Sequence, residues 1–494
     1  MQESIILSPP PVFFIKSISE QGYTLSTAIS DLVDNSIAAG AKRIEILLDT
    51  TSSPLRLFIA DNGGGMSPDE LNLNMRFPSA DLDVPRGIND LGRFGLGLKT
   101  ASFSQSRKFT VLSKKSSSIY SGRSWDVEHL RETNNWSLII NSDAEVSTLI
   151  SEFYGASKNF HQQSIDFQPN TLIVWDCLYK LEKVIKKHDI NDELDELRSH
   201  LGLVFHRFIQ NGVIQIRLNN SLIEGFEPFP NNVRGVQTVS ENFWETSDAY
   251  VKFQGIVLPK RSATEAKEKG SDWVPEGRTL EELQGIYVYR NDRLINYGGW
   301  LRAIPKSIYL QFGRIKIDIT NINDEEFHLN VAKSSLKIPF GLKKAMSEMV
   351  NHVAAQALKE YRERMASAVI RSMTNAKGLS IILRETNSYG PRLRINSEFE
   401  IFRKLKDGLS TEKNEILNIF VALIESKLNE IWKGEISTTE IIEDFDNQHE
   451  KRILKIKKYY EEAGYSLQEI KELLLDSFGQ TGKIKILINS LTMD

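Results

Sequence analysis

Between positions 24 and 40 the apolar residues fall at helical spacing: Leu25, Ala28, Ile29, Leu32, Val33 and Ile37 share one face, and Gly40 stands where a helix would stop. Two short apolar runs follow, 43–48 and 55–60, each bounded by polar residues in the manner of strands. The stretch 75–94 then loses all period, with Pro78, Pro85, Gly87 and Gly92 scattered among polar residues, which predicts a loop. Further strands are predicted at 108–113 and 171–176, with a variable polar stretch between them. A linking helix over 192–210 leads into short apolar strands within 213–226, 250–258, 285–295 and 313–319. Strands mixed with helices in this way predict an α+β fold. From 341 onward the periodicity is mostly helical, as in 342–370 and 416–432.

Length and composition narrow the class. A chain of 494 residues exceeds what one core of about 100–200 residues holds, and three domains are expected. No apolar run approaches the roughly 20 residues needed to cross a bilayer, and the first residues lack the basic region and small-residue cleavage site of a signal peptide, so no membrane association is expected. The single cysteine, Cys177, excludes an internal disulfide and a cysteine-based zinc site, which fits a reducing, cytoplasmic setting. A net charge of −4 means that nucleic-acid binding would need a local patch or a dimer groove.

Three stretches carry candidate chemistry. Asp31-Leu-Val-Asp-Asn35 sets Asp31 and Asn35 four apart, on one face of the predicted helix, where one could orient a water and the other hold a metal. Asp61-Asn-Gly-Gly-Gly65 follows a predicted strand directly, placing a carboxylate beside glycines that let backbone approach a ligand. Gly92, Gly95 and Gly97 precede a predicted helix whose free N–H groups and positive dipole end suit phosphate. Gly97-Leu-Lys-Thr100 separates the glycine from Lys99 by Leu98, so the spacing fits neither a Walker A loop nor a Rossmann turn.

In order and in residue type these stretches resemble the GHKL ATPase superfamily, which includes DNA gyrase B, the ninety-kilodalton heat-shock chaperone, MutL, histidine kinases and the MORC proteins. The likeness is greatest to MORC and MutL. It rests on ISDLVDNSIAAGA (29–41), IADNGGGM (59–66), GRFGLGLKTAS (92–102) and NTLIVWD (170–176). The resemblance implies an N-terminal Bergerat-fold α/β sandwich over 1–182 with a lid at about 75–98. It also implies an S5-like α+β transducer domain over 183–340, ahead of the helical region 341–494.

The resemblance further implies ATP and Mg²⁺ as ligands, with Asn35 on the metal and Asp31 as the base that polarises water. Most hydrolytic members carry glutamate at that position, so the shorter Asp31 predicts slow catalysis, with Asp34 as a fallback. Asp61 would accept from the exocyclic amine of adenine, where guanine offers a repelling carbonyl. Gly63, Gly65, Met66 and Thr171 would complete the base pocket. Gly92, Phe94, Gly95, Leu96, Gly97 and Leu98 would wrap the phosphates, with Lys99 balancing their charge. Lys333 stands where related transducer domains present a lysine to the γ-phosphate. The implied partners are a second copy of the chain when ATP is bound, DNA or a DNA-bound complex, and a protein such as a nuclease, in restriction, repair or phage defence. Two alternatives bear on this. A non-enzymatic ATP switch would use the same pocket without turnover. A histidine kinase is disfavoured because the first histidine, His129, lies well after the first motif. The basic residues Lys451, Arg452, Lys455, Lys457 and Lys458 read as a solvated helix face or a DNA-facing stripe; Arg107, Lys108, Lys114 and Lys115 carry the same two readings.

Overall fold

The computed structural model describes residues 9–20, 22–77, 95–115, 118–160, 167–185, 189–230, 235–245, 250–259, 274–275, 278–324, 326–327, 338–374, 381–387, 390–434, 447–478 and 482–492. They form two compact units, Met1–Ala357 and Leu358–Asp494.

The first unit opens with helices α1 (Pro11–Ser19) and α2 (Leu25–Ala38), strands β1 (Arg43–Asp49) and β2 (Arg56–Asp61), and helices α3 (Pro68–Met75) and α4 (Gly97–Gln105). It continues through β3 (Lys108–Ser113), β4 (Ser121–Asp126), α5 (Val127–Thr133), β5 (Ile139–Asn141), α6 (Asp143–Lys158) and β6 (Thr171–Asp176). Helices α7 (Tyr179–Ile185), α8 (Ile190–Val204) and α9 (His206–Gln210) then lead to β7 (Gln215–Leu218) and β8 (Ser221–Leu222). These strands make one sheet in the order β5-β4-β3-β6-β2-β1-β7-β8. Every neighbouring pair is antiparallel except β1 and β7, which run parallel.

Alternation along the strands sends side chains to two separate cores. Ile44, Ile46, Leu57, Ile59, Phe109, Val111, Ile173 and Trp175 face one way and meet Ala28, Ile29, Leu32 and Val33 of α2 with Ala101 and Phe103 of α4. Leu47, Phe58, Ala60, Leu112, Leu172 and Val174 face the other way and are covered by Val146, Phe153 and Ala156 of α6. Among the described residues, the polar stretch expected between 113 and 171 therefore contains two strands and two helices. Strand β4 escaped the hydrophobic pattern because Gly122, Arg123 and Ser124 fill three of its buried positions.

A second sheet follows, β9 (Gln237–Glu245), β10 (Tyr250–Val257), β11 (Gly285–Arg290), β12 (Arg293–Asn296) and β13 (Gly313–Ile319), in the order β12-β11-β13-β10-β9. The early turns of helix Lys343–Thr374 lie against it: a Cβ on Gly255 would come within 2.5 Å of Val353, so only glycine permits that approach. Helix α8 belongs to both cores, with Leu197, Leu201 and Val204 in the first and Leu203 among Tyr287, Tyr289 and Leu294 of the second.

The second unit is chiefly helical, as its periodicity predicts. Its core gathers Ile419, Ile453, Ile456, Ile470, Leu474 and Ile488. It also holds a hairpin, β14 (Ile382–Asn387) and β15 (Gly390–Ile395), too short and too rich in charge to stand out from sequence. The side chain of Asn429 stands in for a third strand there, its Oδ1 accepting from the Leu393 N–H at 2.8 Å and its Nδ2 donating to the Leu393 carbonyl at 2.7 Å. Among the described residues no helix is long and apolar enough to cross a membrane.

Candidate active site

The register of the first sheet gathers a polar cluster at one end of three adjacent strands. Asp61 ends β2 opposite Thr171 at the start of β6, and Thr171 in turn lies opposite Ser113 at the end of β3. Asp61 is buried, and both carboxylate oxygens accept from fixed donors: the Gly63 N–H at 2.8 Å and the Ser36 hydroxyl of α2 at 3.0 Å. Burial raises its pKa above the usual aspartate value, against the pull of those two donors. Each oxygen keeps a second lone pair, so a ligand amine has a place to donate.

Around Asp61 the polar contacts form a chain. The Thr171 and Ser113 hydroxyls lie 3.0 Å apart, Ser113 accepts from the Met66 N–H at 2.9 Å, and Asn170 Nδ2 donates to the Gly63 carbonyl at 2.7 Å. Gly65 turns the chain at φ +63°, where a Cβ would lie 1.8 Å from the Lys114 carbonyl oxygen. The turn thus needs glycine on both conformational and steric grounds.

Helix α2 brings the second carboxylate. Thr24 caps the helix by accepting from the Thr27 N–H, which fixes where the helix starts. Asp31, one turn further in, is buried and its Oδ2 accepts from the Tyr23 hydroxyl at 2.8 Å. Burial and then the Asp31 charge raise the Tyr23 pKa, so this phenol stays protonated and donating. Asn35 is exposed on the same helix face. Helix α4 begins beside them: a Cβ built on Gly97 would lie 3.7 Å from Asp31 Oδ2. Its N-cap residue, Leu96, caps with no side chain, and by helix geometry the Gly97 and Leu98 N–H groups lack an intrahelical acceptor. A carboxylate and an uncapped helix start thus converge, with Asn35 one turn further along α2.

These residues fit a nucleotide. Asp61 offers an acceptor to a base, the α4 N-terminus offers donors to phosphate, and Gly97 leaves space between that terminus and Asp31. Among the described residues no group of three or more His, Cys, Asp or Glu side chains stands ready to hold a metal. A cation beside Asn35 would take its other ligands from phosphate and water, the habit of Mg²⁺.

A sequence model of the family described as "Histidine kinase-, DNA gyrase B-, and HSP90-like ATPase" matches residues 23–157, which span α2, β1, β2 and α4. Over these residues the chain is similar to the GHKL ATPases. It is 37% identical over 103 residues to a putative MutL protein homolog 1 of Schizosaccharomyces pombe, a match covering 20% of this chain and 15% of that protein. It is 40% identical over 93 residues to the DNA mismatch repair protein MutL of Aeromonas hydrophila, covering 18% and 14%. A third match, 32% over 107 residues, is to the MutL of Pseudomonas entomophila, covering 21% and 16%. The chain spans about a seventh of the length of these relatives.

Within this region the structure sets several expected residues in unexpected surroundings. Lys99 is 1% exposed and its ammonium donates to the carbonyls of Asn74, at 2.9 Å, and Gly95, at 2.6 Å, beneath the Phe77 ring. Burial pushes its pKa down to about 7. It ties α3 to the turn before α4, with its charge spent on backbone. Asp34 is bound by Arg293 of β12 at 2.7 Å. Gly92, Phe94 and Lys333 lie outside the described residues.

Several of the basic residues are met by acids or rings. Lys455 pairs with Glu415 at 2.9 Å and Lys457 with Glu461 at 3.1 Å; Arg107 stacks over Tyr179 and Lys114 over Tyr120, while Lys115 pairs with Glu70. Four site residues went unnoticed in the sequence: Tyr23, Ser36, Ser113 and Asn170. Ser36 and Asn170 adjoin Asn35 and Thr171, and that adjacency was the available signal. Tyr23 lies eight positions before Asp31 and Ser113 acts across the fold, and nothing in the sequence marks either.

Proposed function

We propose that the chain is a Mg²⁺-dependent ATPase that pairs with a second copy when ATP binds and acts as a nucleotide-gated clamp on DNA or a DNA-bound complex. The observation that carries the ATP reading is the presence of two buried carboxylates in different settings: Asp61 aimed by Ser36 and Gly63, and Asp31 beside the α4 N-terminus. In this reading Asp61 selects adenine and the backbone of Gly95, Leu96, Gly97 and Leu98 receives the phosphates. Asn35 would hold Mg²⁺, which supplies charge neutralisation to the phosphates. Asp31 accepts a proton from the attacking water. The names of two MutL relatives, DNA mismatch repair proteins, support DNA as the object engaged.

The test has two parts. Phosphate release should require Mg²⁺ and fall on Asp31→Asn. Sedimentation with a non-hydrolysable ATP analogue should show a dimer, with a salt-resistant complex on closed circular DNA and loss from linear DNA; a monomer indifferent to nucleotide and DNA rejects the clamp.

One contact favours a second reading, an ATP-binding switch with little hydrolysis. The Tyr23 hydroxyl occupies Asp31 Oδ2 and stabilises its anion, which weakens an already short base. A single-turnover measurement separates the two, since a switch binds ATP and returns it intact.

A further inference from the structure

The DLVDN helix is held from outside its own sheet. Asp34 Oδ1 accepts from Arg293 Nε at 2.7 Å, with the two side chains 1% and 8% exposed. Arg293 opens β12, an edge strand of the second sheet, and lies 259 positions further along the chain. Its guanidinium sits over the Phe205 ring, 5.6 Å from the centroid, and Nη1 reaches the Leu294 carbonyl at 3.4 Å. An aromatic face and a backbone acceptor therefore fix the arginine before it meets the aspartate.

At about 100° per residue, Asp34 projects roughly 60° around the helix from Asp31 and roughly 100° from Asn35. Anchoring Asp34 sideways therefore sets the rotation of α2 about its axis, and with it the direction of both candidate site residues. The same charge reaches the neighbouring groups: it lowers the Tyr23 pKa against burial, and it joins burial and Arg278 in pushing His200 of α8 down to about 3. Tyr23 is the residue that donates to Asp31. The arginine thus acts on Asp31 along two routes, through the helix and through the phenol.

We propose that Arg293 is a positioning residue of the ATP site, which makes the second sheet part of the hydrolytic apparatus and gives any displacement of β12 a direct grip on Asp31 and Asn35. For its kinetic consequences this rests on the ATPase reading. The hold on α2 itself does not.

The experiment compares the full chain with two variants. Arg293→Lys keeps the charge and loses the Nε fork. The double variant Asp34→Asn, Arg293→Gln replaces the ion pair with a neutral hydrogen-bonding pair, so that no charge is left buried alone. Melting followed by circular dichroism confirms folding. In both variants, hydrogen exchange of the amides of 25–38 should rise without nucleotide, and kcat should fall about ten-fold while KM stays within about two-fold, the mark of misplaced groups with an intact base pocket. A merely structural contact would lower the melting temperature and leave kcat alone. Wild-type exchange or wild-type kcat in a folded double variant overturns the proposal. Raised exchange in a chain whose wild type binds no nucleotide instead upholds the grip of Arg293 on α2 and rejects the ATPase reading.

Discussion

The two ends of the pocket are built by different rules. At the base end, Asp61, Ser36, Gly63, Thr171, Ser113, Asn170 and Met66 hold one another, from the first sheet, the turns at its strand ends and the helix beside it. At the phosphate end, Asp31 rests on Tyr23, and its helix is steadied by Arg293 of a separate sheet. The proposed base end draws on α2 only through Ser36, whereas the groups proposed for hydrolysis lie on α2 itself and depend on a second structural layer. A site divided this way can hold ATP firmly while its turnover is governed from elsewhere.

The contrast can be broken at either end. The largest effect is expected from Asp61→Ala, which strands the Ser36 and Gly63 donors and removes the acceptor for the base: affinity for a non-hydrolysable ATP analogue, read by calorimetry, should drop about 100-fold or more. Asp31→Asn should lower turnover by a similar factor of about 100 while leaving that affinity within a few-fold. A rate that does not change removes Asp31 from the chemistry and turns the phosphate end into a binding surface alone.

Acidification offers a finer cut. Burial raises the Asp61 pKa, so its carboxylate gains a proton at a higher pH than a solvated aspartate would. Below that point analogue affinity should weaken about ten-fold per pH unit, and the dependence should vanish in Asp61→Asn. Titrations at steps from pH 7.5 to 5 measure it. The smallest effect concerns Lys99. Its folded pKa of about 7 lies below its ordinary 10.5, so between these values the unfolded chain binds the proton more tightly. Stability should therefore rise with pH from 7 to 9 and be lost as pH falls toward 7, by at most about 1.4 kcal/mol per pH unit. Lys99→Met should flatten that slope in pH-dependent melting.

The same division decides what could be read from sequence. Much of the base end lies in contiguous words: DNGGG, and Asn170 with the strand that starts at Thr171. The fold of the first sheet was legible for a related reason, because α2, β1, β2, β3 and β6 each announce themselves by periodicity. Residues that act across long separations stayed hidden. Arg293 carries no local mark of its partner 259 positions away. Lys99 reads as a phosphate-seeking lysine beside glycines until Asn74 and Gly95 are seen to take up its ammonium. Asp34, first a fallback base, gains a role only once β12 is in place.

The parallel pairing of β1 with β7 carries a consequence for how the chain comes into being. Ile44 lies beside Ile216, so a strand made early in synthesis finds its neighbour only after α8 and α9 have left the ribosome. Until then β1 presents an unpaired edge of apolar sequence to the cell, the kind of surface that recruits chaperones or sticks to other nascent chains. A stalled or truncated product ending before residue 215 would hold every residue of the proposed base pocket and still leave that edge open, so its fate would be aggregation or proteolysis rather than a smaller working ATPase.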